Sequence, residues 1–371
     1  MTDAGAGSEA GAGSAAGAVS DAELVAMRYA ARLGQTVLGR TSPNPPVAAV
    51  LLDDAGRIVG EGATRPAGQE HAEVVALRAA GDRAAGSTAV VTLEPCNHTG
   101  STGPCTEALI GAGVRRVLYA VDDPNPIAAG GAQRLRDAGL QVIGGVLRDE
   151  VADGALRAWL HGVAQARPLV TWKFASTLDG RTAARDGTSR WITNPVSRAD
   201  VHALRDTVDA VLVGSGTVLA DDPQLTVRGV GGVEDGELAA RQPLRVVLDR
   251  RGRVPRNARV FDEAAETVVL DTAVPRFALK ALFDRGVRHV LLEGGATLAG
   301  AFLEARLIDD VVGYVAPKLL GDGMGVLHDA GITTMSEAVF LSVVDVDRLG
   351  DDVKITGRPV WADAGNTGRE D

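Results

Sequence analysis

Cysteine is almost missing from this chain. Two in 371 residues exclude a disulfide scaffold. Aromatic residues are scarce too, with three Tyr, six Phe and four Trp, which leaves little for a base-stacking platform. Only four of the 38 basic residues are Lys, a bias that goes with abundant Ala and Gly and reads as coding composition. Positive charge is in deficit: the net charge is −10, and residues 1–166 and 167–371 each carry −5. Neither part has the basic excess of a nucleic-acid binder. No apolar run reaches 18 residues, so a transmembrane helix is not expected. The first residues lack a basic stretch followed by an apolar core, so a secretory signal is not expected either. The expectation is a cytoplasmic protein with no membrane and no nucleic-acid partner.

What is present is ordinary globular composition, 45% hydrophobic and 23% charged, in a length that favours two domains. Residues 1–20 are mostly Ala, Gly and Ser and predict a disordered tail. Asp21 reads as the cap of a helix from Ala22 to about Val37. Strands are expected at Val47–Leu52, Ile58–Ala63, Ala89–Leu93 and Val117–Val121, with helices at His71–Ala80, Thr106–Ala112 and Gln133–Ala138. This alternation predicts a layered α/β domain over 21–150. A charged helical connection over 151–167 ends at Arg167-Pro168. A second α/β set fills 168–361, with strands at Val170–Ala175, Ala210–Val213, Val246–Leu248, Val268–Leu270, Val290–Leu292, Val311–Val315 and Val353–Ile355. Helices are expected at Arg198–Arg205 and Ala296–Ala305, a surface loop at Gly229–Gln242, and a flexible tail at 362–371. The two halves do not repeat each other.

The two cysteines stand in a telling context. His71-Ala72-Glu73 opens a helix, Pro95-Cys96 follows a strand, and Pro104-Cys105 starts another helix. One imidazole and two thiolates make a three-ligand zinc site with a fourth position open for water. Zinc lowers the pKa of such a water toward about 7. Glu73 stands two residues from His71, where it can move protons without ligating, as in zinc deaminases. Those deaminases place two residues between their cysteines; here eight intervene, with glycines that let the loop double back. His98 is a spare candidate ligand.

The second half carries two glycine turns between strand and helix, Gly214-Ser215-Gly216-Thr217 and Glu293-Gly294-Gly295-Ala296. Such turns present backbone N–H groups to an anion, although neither is the dinucleotide fingerprint of a βαβ unit. Arg205 and Arg228 suit bidentate phosphate binding; a solvated helix or loop position would explain them equally. Lys173 sits in an apolar strand, where an unpaired ammonium is expensive. Arg250-Arg251-Gly252-Arg253 follows a strand, as arginines that choose NADP over NAD do, and also as a charged hairpin tip does.

The stretches TSPNPPVAAVLL, EHAEVVALRAAG, LEPCNHTGSTGPC and DDPNPIAAGGAQRL, then WKFASTLDGRTA, SRWIT, VLVGSGTVLADDPQLTVR and LLEGGATLAGAFLEARLIDDVVGYVAPKLLG, make about residues 21–361 similar to the bifunctional riboflavin-biosynthesis deaminase–reductases. The resemblance implies a cytidine-deaminase-like layered α/β domain followed by a dihydrofolate-reductase-like α/β domain. It implies zinc on His71, Cys96 and Cys105 with Glu73 as proton shuttle, and pyrimidine contacts from Asn44, Asp123 and Asn125. It implies NADPH contacts at Ala175, Trp191, Thr217, Asp221 and the turn Gly295, Ala296, Thr297, Leu298, Ala299, Gly300 and Ala301. Substrate contacts fall on Lys173, Ser189, Arg205, Leu225, Arg228 and Glu293. Phosphorylated pyrimidines are the implied substrates, and relatives of the reductase domain imply a homodimer through it. Ser101 stands where the family usually has a basic residue, and Thr64 where it often has His. Two rival readings, a nucleic-acid-editing deaminase and a non-catalytic nucleotide sensor, are disfavoured by the charge, the cysteine spacing and the intact ligand set.

Overall fold

The computed structural model describes residues 17–99 and 103–361. Ser101 and the stretches 1–16 and 362–371, expected as tails, lie outside the described residues. The chain forms two compact units.

The first unit comprises residues up to 34, 47–63 and 70–154. Its elements are α1 (Asp21–Gln35), β1 (Ala48–Leu52), β2 (Ile58–Ala63), α2 (Ala72–Ala80), β3 (Thr88–Leu93), α3 (Cys105–Gly111), β4 (Arg116–Val121), α4 (Gly131–Asp137), β5 (Gln141–Ile143) and α5 (Arg148–Ala152). Ser20, not the expected Asp21, caps α1: its hydroxyl accepts the Glu23 N–H at 3.3 Å, and the Glu23 carboxylate accepts the Ser20 N–H at 2.8 Å. This reciprocal pair is a capping box, which a residue already inside the helix cannot make. The sheet runs β2-β1-β3-β4-β5, with β1 antiparallel to both neighbours and β3, β4 and β5 parallel. Every residue of β1 and β3 is buried, as a strand covered on both faces requires. Helix α2 lies on β2 with almost no gap, because Gly62 has no side chain. A Cβ there would sit 2.6 Å from the Ala72 carbonyl oxygen. That close approach fixes the start of α2, where His71 and Glu73 stand.

The second unit is discontinuous: residues 35–46, 64–69 and 155–361. The early segment is tied to it by polar bonds, Arg40 to the Asp206 carboxylate at 2.7 Å and Ser42 Oγ to Asp209 at 2.8 Å. Its elements are α6 (Arg157–Gln165), β6 (Leu169–Thr177), β7 (Arg181–Ala184), α7 (Pro195–Asp206), β8 (Ala210–Gly214), α8 (Ser215–Asp221), β9 (Leu244–Leu248), β10 (Thr267–Leu270), α9 (Pro275–Asp284), β11 (His289–Leu292), α10 (Ala296–Glu304), β12 (Asp310–Ala316), β13 (Gly323–Gly325), β14 (Phe340–Leu349) and β15 (Asp352–Val360). The charged stretch expected as one connecting helix is two, α5 and α6, separated by a turn at 153–156. The main sheet runs β10-β9-β8-β11-β6-β12-β15-β14, parallel from β10 to β12 and antiparallel for β15 and β14. Val170, Leu212, Leu292 and Phe302 pack on one face, and Val211, Val213, Val247 and Leu291 on the other. The loop expected at 229–242 is irregular apart from a bridge between Arg228 and Leu238. Among the described residues, no helix is long and apolar enough to cross a membrane.

Candidate functional site

In the first unit, three side chains far apart in sequence converge. His71 directly precedes α2 with an extended backbone, and Cys105 is the first residue of α3 behind Pro104. His71 Nδ1 lies 3.6 Å from Cys96 Sγ and 3.3 Å from Cys105 Sγ. The Cys105 N–H points at Cys96 Sγ, 3.5 Å away. All three ligand atoms fall within 4.8 Å of one another. Tetrahedral zinc, with bonds near 2.0–2.1 Å to nitrogen and 2.3 Å to sulfur, spaces such atoms about 3.5–3.8 Å apart. The donor set and its geometry therefore fit zinc. The two thiols share a hydrogen bond, which holds the Cys96 thiol low and pushes Cys105 up. Hydrogen bonding to Cys96 raises the His71 imidazole against the effect of burial. Among the described residues, the cluster holds these three and neither Glu73 nor His98.

Glu73, in the first turn of α2, is 4% exposed. Burial, reinforced by the Cys96 charge, pushes its carboxyl up to about 7. A carboxyl poised there takes and releases protons at neutral pH. Asp123 and Asn125 lie on the loop after β4. Asp123 Oδ1 accepts the Asn125 N–H at 2.9 Å, and Asn125 Oδ1 accepts the Ile127 N–H at 3.2 Å, so each gives one oxygen to turn formation. Burial pushes the Asp123 carboxyl up. Glu94 escapes sequence reading, because one acid inside a strand-end motif looks like any other. It is buried, and it accepts backbone N–H groups from Asp123 and Ala132. Asn44 belongs to the segment 35–46 of the second unit, where it closes a turn with Thr41: its N–H donates to the Thr41 carbonyl at 2.9 Å, and its carbonyl accepts the Thr41 hydroxyl at 3.1 Å. Thr64 is buried.

In the second unit, the glycine turns end two adjacent parallel strands, β8 and β11. Thr217 Oγ1 accepts the Gly295 N–H at 3.2 Å and so links the two turns. Arg253 reaches the same place, donating to Ser215 Oγ at 2.8 Å. Beside the turns lies a partly buried charge triad. Arg205 Nε and Nη2 grip the two Glu293 oxygens at 2.6 and 3.0 Å, while Nη1 donates to the Thr226 carbonyl at 2.9 Å. Lys173 Nζ is 3.6 Å from Glu293. Burial pushes the Glu293 carboxyl up, but Arg205 and then Lys173 outweigh it and hold it at about 2. Burial lowers the Lys173 ammonium. Arg205 is thus neither a solvated helix arginine nor an uncommitted arm.

The other expected residues are spread around this triad. Arg228 is held by Gln224, by Thr226 Oγ1 and by the Gly236 carbonyl, with its N–H on His202. Leu225 has a left-handed backbone, φ 55°, and a side chain in the core; a branched residue there signals a constrained site. Ala175 is two residues beyond Lys173 on β6 and so shares its face. Trp191 is 63% exposed, with Arg198 over its ring at 4.5 Å and its carbonyl bonded by Lys318. The Asp221 carbonyl accepts Arg190 at 2.7 Å, and Ser189 precedes that arginine, half-buried. Gly295, just before α10, and Thr297 within it are exposed and Leu298 and Ala301 partly so, whereas Ala296 is buried, Ala299 faces the core and Gly300 sits under the His328 carbonyl.

Two family models match the chain: the cytidine and deoxycytidylate deaminase zinc-binding region over residues 20–121, and the RibD C-terminal domain over 168–355. The riboflavin biosynthesis protein RibD of Mycobacterium tuberculosis is 52% identical over 331 residues, covering 89% of this chain and 96% of that one. Its Escherichia coli counterpart is 39% identical, covering 88% and 96%. Among solved structures, Acinetobacter baumannii RibD matches with a TM-score of 0.83 at 38% identity, covering 92% of this chain and 99% of that one. The Thermotoga maritima diaminohydroxyphosphoribosylaminopyrimidine deaminase/5-amino-6-(5-phosphoribosylamino)uracil reductase matches with 0.83 at 36%, covering 91% and 99%. With its ligand cluster in one unit and its paired glycine turns in the other, the chain belongs to the RibD family, bifunctional enzymes of riboflavin biosynthesis that join a zinc-dependent deaminase to an NADPH-dependent reductase.

Proposed function

We propose that the first unit deaminates 2,5-diamino-6-(5-phosphoribosylamino)pyrimidin-4(3H)-one, and that the second reduces the ribosyl group of the product to give 5-amino-6-(5-phosphoribitylamino)uracil. The observation that carries the first half is the convergence of His71, Cys96 and Cys105 beside a buried carboxyl held near 7. Zinc on those three residues, when bound, activates the water that replaces the amino group. Glu73 takes a proton from that water and returns it to the departing amino group, which leaves as ammonia; water is consumed and the ring carbon gains the oxygen. Asp123 and Asn125 present their remaining polar atoms to the pyrimidine, and Asn44 is assigned to it by resemblance alone.

In the second unit NADPH supplies the hydride. Lys173 and Glu293 face the opened ribose, and Arg205 orients Glu293 through its two-point grip. Arg228 gives the phosphate end positive charge, with Ser189 and the Leu225 backbone beside it, while Arg205 acts on the substrate through Glu293. The turns at Thr217 and Gly295 would hold the cofactor's pyrophosphate on backbone N–H groups other than that of Gly295, which Thr217 occupies. Arg253, bonded to Ser215 beside the first turn, would read a 2′-phosphate, and Trp191, Ala175, Asp221, Ala296, Thr297, Leu298 and Ala301 would contact the rest of the cofactor. Ala299 and Gly300 support the turn from within.

We further infer a cytoplasmic homodimer. Two thiols that must stay reduced to ligate suit a reducing compartment. Strand β14 is a sheet edge on which Phe340, Val343, Val344 and Val346 are all exposed, an edge that proteins ordinarily cover. The test of the whole reading is one assay: purified protein, the diaminopyrimidine substrate and NADPH, with ammonia and NADPH absorbance followed together. Ammonia without NADPH consumption removes the second half of the proposal; absence of ammonia removes the first, and supplied deaminated substrate then tests the second by itself.

A further inference from the structure

Glu94 stands one residue past β3 and two before Cys96, and its own N–H continues the strand pairing by donating to the Val121 carbonyl at 2.8 Å. It is 8% exposed. Its Oε2 accepts the Asp123 N–H at 3.2 Å and its Oε1 accepts the Ala132 N–H at 2.8 Å. Those two amides bracket the loop that carries Asp123 and Asn125: Asp123 stands near its start, and Ala132 is the second residue of α4. Among the described residues, the carboxylate has backbone amides and no cation as hydrogen-bonding partners. A buried carboxylate is costly unless its hydrogen bonds are needed, and here both oxygens are used. Neighbouring backbone contacts run the same way: Asn97 N–H donates to the Ala128 carbonyl at 3.1 Å, and Gly131 lies so close to the Pro95 carbonyl that no Cβ fits.

We propose that Glu94 is a positioning residue of the deaminase: a two-point staple that fixes the pyrimidine-facing loop against the strand end carrying Cys96. This rests on the reading of Asp123 and Asn125 as substrate contacts. A single neutral acceptor cannot replace the staple, because a Gln side chain turns an NH2 group toward one of the two amides.

The test uses the full chain with zinc bound. Glu94→Gln is expected to raise the deaminase KM about 10-fold, the cost of a charge-assisted bond, with kcat changed less than about 3-fold. One zinc per chain is retained and reduction of supplied deaminated substrate is unaffected. Amide hydrogen exchange at Asp123 or Ala132 accelerates by a similar factor. Glu94→Asp, charged but too short to span both amides, moves KM the same way. Unchanged KM together with unchanged exchange overturns the proposal, as does loss of zinc, which would make Glu94 a support of the ligands instead. If the variants do not fold, exchange in the unaltered protein decides: Asp123 and Ala132 amides as fast as exposed loop amides overturn it. Asp123→Ala and Asn125→Ala separate the underlying reading, since it fails if neither changes KM, whatever Glu94→Gln does to exchange.

Discussion

Each unit holds one glutamate at its candidate site with its side chain largely shielded from water, and the two are tuned in opposite directions. Glu73 is pushed up to about 7 by burial and a neighbouring thiolate, whereas Glu293 is held at about 2 because Arg205 and Lys173 outweigh burial. The residue type and the degree of exposure are nearly the same, so burial alone assigns no role. The neighbours decide: with a negative sulfur beside it a glutamate becomes a proton carrier, and between two cations it becomes a fixed charge.

The most severe way to break the contrast is to remove the sulfur. Cys96→Ser is expected to abolish zinc binding and ammonia release and to destabilise the first unit, because metal binding supplies folding free energy. The second unit has its own core and still reduces supplied deaminated substrate. Metal analysis paired with the two activities decides, and one tightly bound zinc per chain in this variant would refute the three-ligand assignment. Next comes Glu73→Gln, expected to lower ammonia release at least about 10²-fold with zinc retained; zinc loss here would mean that Glu73 is a ligand.

On the other side, Arg205→Ala deprives Glu293 of its stronger partner. We expect substrate affinity in the reductase assay to fall about 10- to 100-fold, from charged hydrogen bonds worth roughly 1.5–3 kcal/mol, with NADPH affinity little changed. Lys at this position restores function only in part, since it lacks the planar fork. Equal weakening of NADPH and substrate would instead place the triad on the cofactor. Arg228→Ala should weaken substrate binding in the same assay, and ammonia release should be normal in both variants.

The smallest effect is on stability. Glu293 ionises in the fold at about 2, below its ordinary 4.5. The stabilisation is therefore fully present above about pH 4.5 and is lost as the pH falls toward 2, amounting to roughly 1–3 kcal/mol. Denaturant unfolding of the second unit between those limits should show this slope, and Glu293→Gln should remove it. A slope that survives the substitution would locate the titration elsewhere.

What was legible in the sequence follows from what is local. The strand–helix alternation marks both units, and the ligands stand out because only two cysteines exist. Their placement at a strand end and a helix start, with His71 before another helix, is written in Pro95-Cys96, Pro104-Cys105 and His71-Ala72-Glu73. The charge triad is not local: Lys173, Arg205 and Glu293 come from a strand, a helix and a turn, and only the parallel order β8-β11-β6 brings them together. Sequence can offer Arg205 as an arginine on a helix, but not as the clamp of an acid 88 residues away. Glu94 was hidden for a similar reason, since its partners are backbone amides, which no residue type announces. Strand β14 was passed over because Val343 and Val344 are adjacent where its register slips, which breaks the apolar-polar alternation that marks a strand.

The segment 35–46 has a consequence for dividing this chain. The linear order invites a cut near residue 154, yet Arg40 and Ser42, far upstream of it, satisfy Asp206 and Asp209 far downstream. A fragment starting at 155 would leave those carboxylates without these partners, and the complementary fragment would carry a polar strap with nothing to hold. A division that keeps the second unit whole would have to carry residues 35–46 with it, and these lie between α1 and β1 of the first.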